Sequence, residues 1–400
     1  MGDSFLPLAL PVFDEQELEE IKEVLASGWI TTGPKARQLE QEIAAFVGAK
    51  HAVAVSSCTA AMHLALEAVG VREGDEVIVP TMTFAATGNV VVHLGARPVL
   101  VDVLPDTLTV DPDAIARLGP GPRTRAIIPV HYAGHACEMA ALLDLAKRRG
   151  LHVIEDAAHA LPAAHDGRRI GAPLPAGLAA SAVCFSFYAT KNLTTGEGGM
   201  ICTEDDALAE RVRVMSLHGI SKDAWKRYAA DGSWYYEVLS PGFKYNLPDL
   251  LAAVGLAQLR KLPAFQERRR AIVRRYSAAF APLDMLECPV ERAGVDHAWH
   301  LYVLRLRTDR LKISREQFVS ELRARGIGTS VHFIPLHVHP FYRDTYGYKP
   351  EDLPVAWDAY RRMASLPLYP GMTDADVDRV VDAVTEIALR NRVPQGIRVG

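Results

Sequence analysis

Between residues 50 and 205 the chain alternates short unbroken apolar runs with stretches whose apolar positions recur every three to four residues. The runs HAVAV (51–55), EVIV (76–79, ended by Pro80), PVLVD (98–102), AIIPV (126–130) and HVIED (152–156) predict strands. Helices are predicted over 59–69, 84–94 and 138–149. Val/Ile runs without alternation belong to strands covered on both faces, so the sheet should be mainly parallel. Two later runs, SAVCFS (181–186) and GMIC (199–202), follow one another without a full helix between them and are expected to pair antiparallel.

The pattern changes on either side of this region. An N-terminal arm carries two helices, the first opened by a capping box of Asp14 with Glu17 and the second by Pro34. A long helical stretch runs from Leu247 towards Tyr276 and joins two domains, divided as 1–250 and 251–400. Beyond it the spacing predicts a strand over 299–306, an amphipathic helix over 314–325, a strand over 328–333 and a closing helix over 374–391. No repeat or long linker separates the parts, so they should pack rather than hang on a tether.

Composition narrows the class. Lysines and arginines number 44 and carboxylates 48, a net charge of −4, which argues for neither a nucleic-acid surface nor a polybasic membrane patch. No apolar run approaches the roughly 20 residues of a membrane span, and the first ten residues lack the basic start of a secretory signal. Five scattered cysteines without a CxxC pair read as reduced thiols of a cytoplasmic protein. GxGxxG after a strand and GxxxxGK[ST] are both absent, so a dinucleotide oxidoreductase or P-loop NTPase is not expected.

The strongest chemical signal is SFYATKN (186–192), directly after an apolar strand. A lysine there is penalised by desolvation in its charged form, which makes sense if Lys191 is a covalent nucleophile with a lowered pKa. Asp156 ends another buried strand, in VIEDAAH (153–159). A buried lysine and a buried acid at neighbouring strand ends are what pyridoxal 5'-phosphate (PLP) demands: one holds its aldehyde, the other keeps its ring nitrogen protonated. A Lys–Asp ion pair that only ties the sheet together is the competing reading.

Three weaker features bear on that choice. The segment SSCTAA (56–61) lies between a strand and a helix, where backbone N–H groups and the Thr59 hydroxyl could hold a phosphate, although taken by itself it reads more readily as a plain helix cap. Phe84 could stack on an aromatic cofactor or belong to the core. Ser186 could supply a second phosphate hydroxyl. Together they place a cradle, a platform, an acid and a nucleophile at successive strand ends, where open α/β sheets bind ligands.

With these segments in place the chain resembles, over nearly its whole length, the DegT/DnrJ/EryC1/StrS family of PLP-dependent nucleotide-sugar aminotransferases. The matching segments are SGWITTGP (27–34), SCTAA (57–61), PTMTF (80–84), PVHYAG (129–134), EDAAH (155–159) and 186–199. GFKYN (242–246), HAWH (297–300), GIGTSVH (326–332) and SLPLY (365–369) complete the set. Cys58 departs from the Gly or Ala often found there.

The resemblance implies an aspartate-aminotransferase-type α/β fold (PLP fold type I), with a large domain around a seven-stranded mixed sheet and a smaller C-terminal α/β domain. It implies Lys191 as the Schiff-base lysine and proton shuttle, Asp156 on the pyridine nitrogen and His159 at the ring edge. Phe84 would stack on the ring, and Cys58, Thr59 and Ser186 would hold the phosphate. Asn246 would reach the phosphate from the neighbouring subunit of a homodimer. Thr31, Thr32, Lys244, Tyr245 and His332 match sugar and nucleotide contacts. The implied reaction moves an amino group from L-glutamate, through pyridoxamine 5'-phosphate, to a nucleotide-diphosphate sugar. The segments 244–246 and 297–300, with WYY (234–236), look most like members acting on UDP-linked 4-keto sugars in lipid A or surface-glycan synthesis. No metal is implied, and His332, His337 and His339 read as polar loop histidines.

Overall fold

The computed structural model describes residues 5–174, 180–221 and 235–393. Its elements run α1 (Glu15–Ser27), α2 (Pro34–Val47), β1 (His51–Val55), α3 (Cys58–Ala68), β2 (Glu76–Pro80), α4 (Ala85–His93), β3 (Arg97–Val101), α5 (Pro112–Leu118) and β4 (Thr124–Ile127). Then follow α6 (Met139–Arg149), β5 (His152–Asp156), β6 (Ala164–His165), β7 (Arg168–Arg169), β8 (Ala182–Ser186), β9 (Gly199–Thr203), α7 (Asp206–Met215) and α8 (Asp249–Phe280). The remainder comprises β10 (Leu286–Glu287), β11 (Val295–Asp296), β12 (Tyr302–Leu306), α9 (Arg315–Ala324), α10 (Pro340–Tyr346), α11 (Pro354–Arg362), β13 (Met363–Leu366) and α12 (Asp374–Arg390).

Seven strands form one sheet in the order β1-β9-β8-β5-β4-β2-β3. The pairs from β3 to β8 are parallel, and β9 runs antiparallel to both β8 and β1. The sheet is therefore mixed, as the apolar runs predict, and its faces are covered by helices. One of them, α3, buries Cys58 and all seven residues from Ala60 to Leu66. A smaller antiparallel sheet, β10-β12-β13, packs with α9, α12 and the end of α8 around Tyr276, Phe280, Tyr302 and Phe318. Helix α8 takes part in two cores. Leu256, Leu259 and Leu262 lie beside Leu39, Ile43 and Phe185, while Ile272, Tyr276 and Phe280 enter the second core.

Caps match local chemistry: Asp14 and Glu17 form the capping box of α1, and Pro34 opens α2. Of the basic residues near 267–275, Arg268 and Arg275 pair with Asp374, and Arg270 with Glu267 and Asp296. Two expectations are corrected. Residues 328–333 form no strand; Leu6 takes the Gly328 N–H and gives its own N–H to the Gly326 carbonyl, and a single bridge joins Ser330 to Ser365 on the outer edge of β13. The strand expected over 299–306 begins only at Tyr302. Trp299 sits at φ +46°, and the N–H groups of His300 and Leu301 both donate to the Ala133 carbonyl instead of a ladder. Trp234 lies outside the described residues.

Candidate active site

Strand order places the carboxyl end of β5 beside that of β8, with the N-termini of α3 and α4 close by. A cavity of about 460 Å³ opens there, lined by Cys58, Thr59, Phe84, Asp156, His159, Ser186, Lys191 and His332 among others. The sequence-predicted residues Lys191, Asp156, His159, Cys58, Thr59, Phe84, Ser186 and His332 thus share one cavity.

Asp156 is the last residue of β5 and is 5% exposed, so its carboxylate oxygens need partners. Oδ2 accepts from Thr87 Oγ1 at 2.7 Å, and Oδ1 accepts from the Ala158 amide at 3.1 Å. Thr87 Oγ1 lies 2.7 Å from Thr83 Oγ1, so the hydroxyls form a relay in which Thr83 donates to Thr87 and Thr87 to the acid. Lys191 follows β8 on a loop whose backbone is tied by Lys191 N–H to Tyr188 C=O at 2.9 Å. Desolvation pulls the Lys191 amine down from 10.5 to about 8, against the opposing pull of Asp156 and Cys58.

At the other end of the cavity, Ser57 caps α3 and accepts from Ala60 N–H. Helix geometry leaves the first N–H groups, at Cys58 and Thr59, without intrahelical acceptors, so the α3 N-terminus presents donors and the positive end of the dipole. The Cys58 thiol turns away, 3.2 Å from the Cys184 carbonyl and 3.9 Å from Asp156 Oδ1, so Cys58 offers the cradle its backbone alone. Close packing there depends on Gly199: a Cβ would meet the Ser57 carbonyl carbon at 2.5 Å and the Cys58 nitrogen at 2.7 Å.

His159 Nδ1 accepts from Ala133 N–H at 3.2 Å, which puts the proton of the neutral ring on Nε2. Burial, with the nearby Lys191 amine and His332 ring, holds this imidazole well below the ordinary histidine range. His332 Nδ1 lies 2.8 Å from Ser365 Oγ, and burial with the nearby Lys191 lowers its pKa to about 4. Phe84 is 62% exposed, its ring 5.9 Å from that of Phe333 across the mouth of the cavity.

Thr31, Thr32, Lys244, Tyr245 and Asn246 do not line this cavity. Asn246 Nδ2 donates to Thr32 Oγ1 at 2.6 Å, and Thr32 Oγ1 donates to the Leu247 carbonyl at 2.6 Å, so these residues tie the N-terminal arm to the start of α8. Tyr245 stacks on Phe243, and Lys244 is exposed. His337 is enclosed, with Nδ1 2.7 Å from Thr81 Oγ1 and Nε2 3.2 Å from the Pro350 carbonyl.

Several cavity residues were not anticipated: Tyr188, Thr190, Glu197, His300 and Phe333 line it, and Thr83 and Thr87 buttress Asp156. His300 falls in a matched segment, HAWH, but that segment lies more than 100 positions from Lys191 and shows no local sign of where its ring goes.

The residues fit PLP: a desolvated lysine amine, an anchored carboxylate, and a helix N-terminus closed by a glycine that admits no side chain. Comparison with known proteins agrees. The DegT/DnrJ/EryC1/StrS aminotransferase family matches residues 11–385. The spore coat polysaccharide biosynthesis protein SpsC of Bacillus subtilis is 50% identical over 96% of this chain and 97% of its own. The putative sugar aminotransferase Spr1654 of Streptococcus pneumoniae, solved in PLP and PMP forms, superposes in its PMP form with a TM-score of 0.89 at 32% identity, over 96% of this chain and 99% of that one. DesV of S. venezuelae gives a TM-score of 0.86 at 37% identity, again over 96% and 99%. With family, fold and cavity in agreement, the chain belongs to the DegT/DnrJ/EryC1/StrS aminotransferases and is a PLP-dependent sugar aminotransferase of PLP fold type I.

Proposed function

We propose that this enzyme transfers the amino group of L-glutamate to the keto carbon, C4, of a UDP-linked sugar, giving an amino sugar for lipid A or surface glycan. The observation that carries it is the convergence of the Lys191 amine and the Thr87-anchored Asp156 carboxylate on one cavity. The spore coat polysaccharide protein at 50% identity supports a surface-polysaccharide product.

When bound, PLP supplies an aldehyde that joins to amines and a ring that takes up the electron pair released at carbon. The chain's own residues do the rest. Lys191 Nζ would hold the cofactor's aldehyde, and its free amine carries the protons. It then acts as the base for the donor's α-proton in the first half-reaction, and as the acid delivering a proton to the amine-bearing sugar carbon in the second. Its lowered pKa suits both roles near neutrality. Asp156 would hold the ring nitrogen, and His159, with its proton on Nε2, would donate at the ring edge. Phe84 would cover the ring, while the Cys58 and Thr59 amides with the Thr59 and Ser186 hydroxyls would hold the phosphate. The neutral His332 imidazole meets substrate.

A homodimer belongs to the same proposal. Asn246 lies outside its own chain's cavity and reaches the phosphate of a second copy, with Thr31, Thr32, Lys244 and Tyr245 meeting the nucleotide sugar; Lys244 acts as a point charge for the diphosphate. Leu18, Leu25 and Ile30, each more than half exposed, supply apolar area for such contact. The division at residues 250 and 251 is likewise proposed, supported by α8 passing from one core to the next.

Absorption spectra of the purified protein test the reading. Protein made yellow by PLP should bleach to a pyridoxamine spectrum with L-glutamate and recover with a UDP-4-keto sugar. Recovery only with a 3-keto or differently linked sugar moves the acceptor, and a deoxygenated product makes the enzyme a dehydratase. Protein that stays colourless with PLP overturns the assignment of Lys191.

A further inference from the structure

Behind the cavity, α8 carries a buried cation that the chemistry above does not use. Arg269 is 3% exposed, and among the described residues no carboxylate pairs with it. Its Nη1 donates to the carbonyls of Trp299 (3.2 Å) and Leu368 (2.9 Å), and its Nε finds no acceptor. One turn earlier Gln266 Nε2 donates to the His297 carbonyl at 2.7 Å, leaving Gln266 Oε1 unpartnered. A buried charge satisfied only by carbonyls is costly, so its retention calls for an explanation.

One of the carbonyls it holds, that of Trp299, belongs to the segment that carries His300, and Arg269 ties that segment to Leu368, just after β13. Trp299 adopts φ +46°, a region that bulky side chains avoid, and its ring stacks on His297 at 3.9 Å. That turn delivers His300 to the cavity wall. Its ring lies 4.3 Å from the ring of His159, and its Nδ1 is 3.3 Å from Asn192 Oδ1. Asn192 Nδ2 donates to the Ala298 carbonyl, so Oδ1 is the acceptor and His300 carries its proton on Nδ1. Asn192 is the neighbour of Lys191 in sequence.

We propose that Arg269 is a positioning residue for amino transfer: from outside the cavity it clamps the strained Trp299 turn and so fixes the His300 ring against Asn192 and His159, beside Lys191. This rests on the cavity being the catalytic site. The clamp has an electrostatic side. The titratable and charged groups facing His300 are Lys191 from the loop after β8, Arg269 from α8, and the imidazoles of His159 and His332. None is acidic, and burial together with these groups keeps His300 well below the ordinary histidine range. A neutral His300 leaves His159 in the tautomer that donates from Nε2, and leaves Lys191 as the group that gains and loses the proton.

The test compares Arg269→Met and Arg269→Lys in the PLP-loaded protein, with imidazole NMR of the PLP-free protein as a readout independent of turnover. In R269M, kcat should fall about tenfold with KM changing less than about twofold, a loss typical of a misplaced group near the reacting atoms. The His300 titration and the acid limb of the pH profile should both move to higher pH, because a repelling cation is gone. R269K, which keeps the charge, should restore most of both. A folded, yellow R269M with wild-type kcat, pH profile and His300 titration overturns the proposal. If R269M does not fold, Asn192→Asp replaces it: a carboxylate at His300 Nδ1 should raise the acid limb in the same direction, and an unmoved limb overturns the proposal. A yellow, glutamate-bleaching R269M with altered kinetics separates this role from failure of the PLP assignment, which would leave wild type and variant colourless alike.

Discussion

Thr87 gives its only hydroxyl hydrogen to Asp156, with Oγ1 of one 2.7 Å from Oδ2 of the other, both enclosed by protein. The bond joins the first turns of α4 to the end of β5, so a residue on a helix aims an acid on a strand. It turns a carboxylate that would otherwise rotate into one with a fixed face.

Replacing Thr87 by Val keeps the shape and removes the bond. A hydrogen bond to a charged group contributes about 1.5–3 kcal/mol, so Thr87→Val should weaken PLP binding by roughly tenfold or more. Titration of PLP-free protein with the cofactor, followed by absorbance, measures this. Unchanged affinity and turnover would mean that the Ala158 amide alone holds the acid.

Lys191→Ala deletes the proposed base without touching the packed core. The variant should keep its fold by circular dichroism and lose turnover by at least about a thousandfold, as expected when a nucleophile and proton carrier is removed. Near-normal turnover would sink the role given to Lys191.

The lowered pKa of the lysine has a pH signature. Only the neutral amine attacks an aldehyde, and the group is pulled down from 10.5 to about 8. Below that value the neutral fraction drops about tenfold per pH unit; above it the amine is already neutral. Capture of PLP by the PLP-free protein should therefore speed up with rising pH and level off just above pH 8. A rate still climbing at about pH 10 would show an ordinary exposed lysine instead.

Gly199→Ala asks whether the α3 cradle needs its close approach. The new methyl would press on the Ser57 carbonyl carbon and Cys58 nitrogen, which are backbone and cannot swing aside. Overpacking of this kind costs about 1–3 kcal/mol, and the strain falls on the phosphate-binding amides. Thermal unfolding should show a lower midpoint, and PLP affinity should fall with it. A variant with normal stability and affinity would mean that β9 can shift away freely.

The parallel strands and the helices over them were legible because apolar runs covered on both faces leave a mark in sequence. The residues at their carboxyl ends, Asp156 and Lys191, stood out because charged groups are rare in such surroundings. The stretch at 328–333 misled for a definite reason. Its composition suits a strand, but the backbone at 326–328 is taken up by Leu6 of the distant N-terminal arm, and only Ser330 reaches the edge of β13. Thr87 was invisible as a buttress because a threonine in an apolar helix reads as core filler until its neighbour is known. The tie between Asn246 and Thr32 crosses 214 positions and has no local sign at all.

What the amino-acid order determined by itself was therefore the local part: which segments are strands or helices, how the helices are capped, and which buried positions hold an acid and an amine. Those follow from periodicity and from the cost of desolvating charge, both of which act within a few residues. Which groups meet was decided only in three dimensions. The order β9-β8-β5 sets Lys191 beside Asp156, the turn at Trp299 brings His300 against His159, and α8 places Arg269 behind it. Contacts between distant segments depend on strand order, helix packing and the direction of each side chain. A one-dimensional pattern does not encode these locally, and packing of the whole chain selects them.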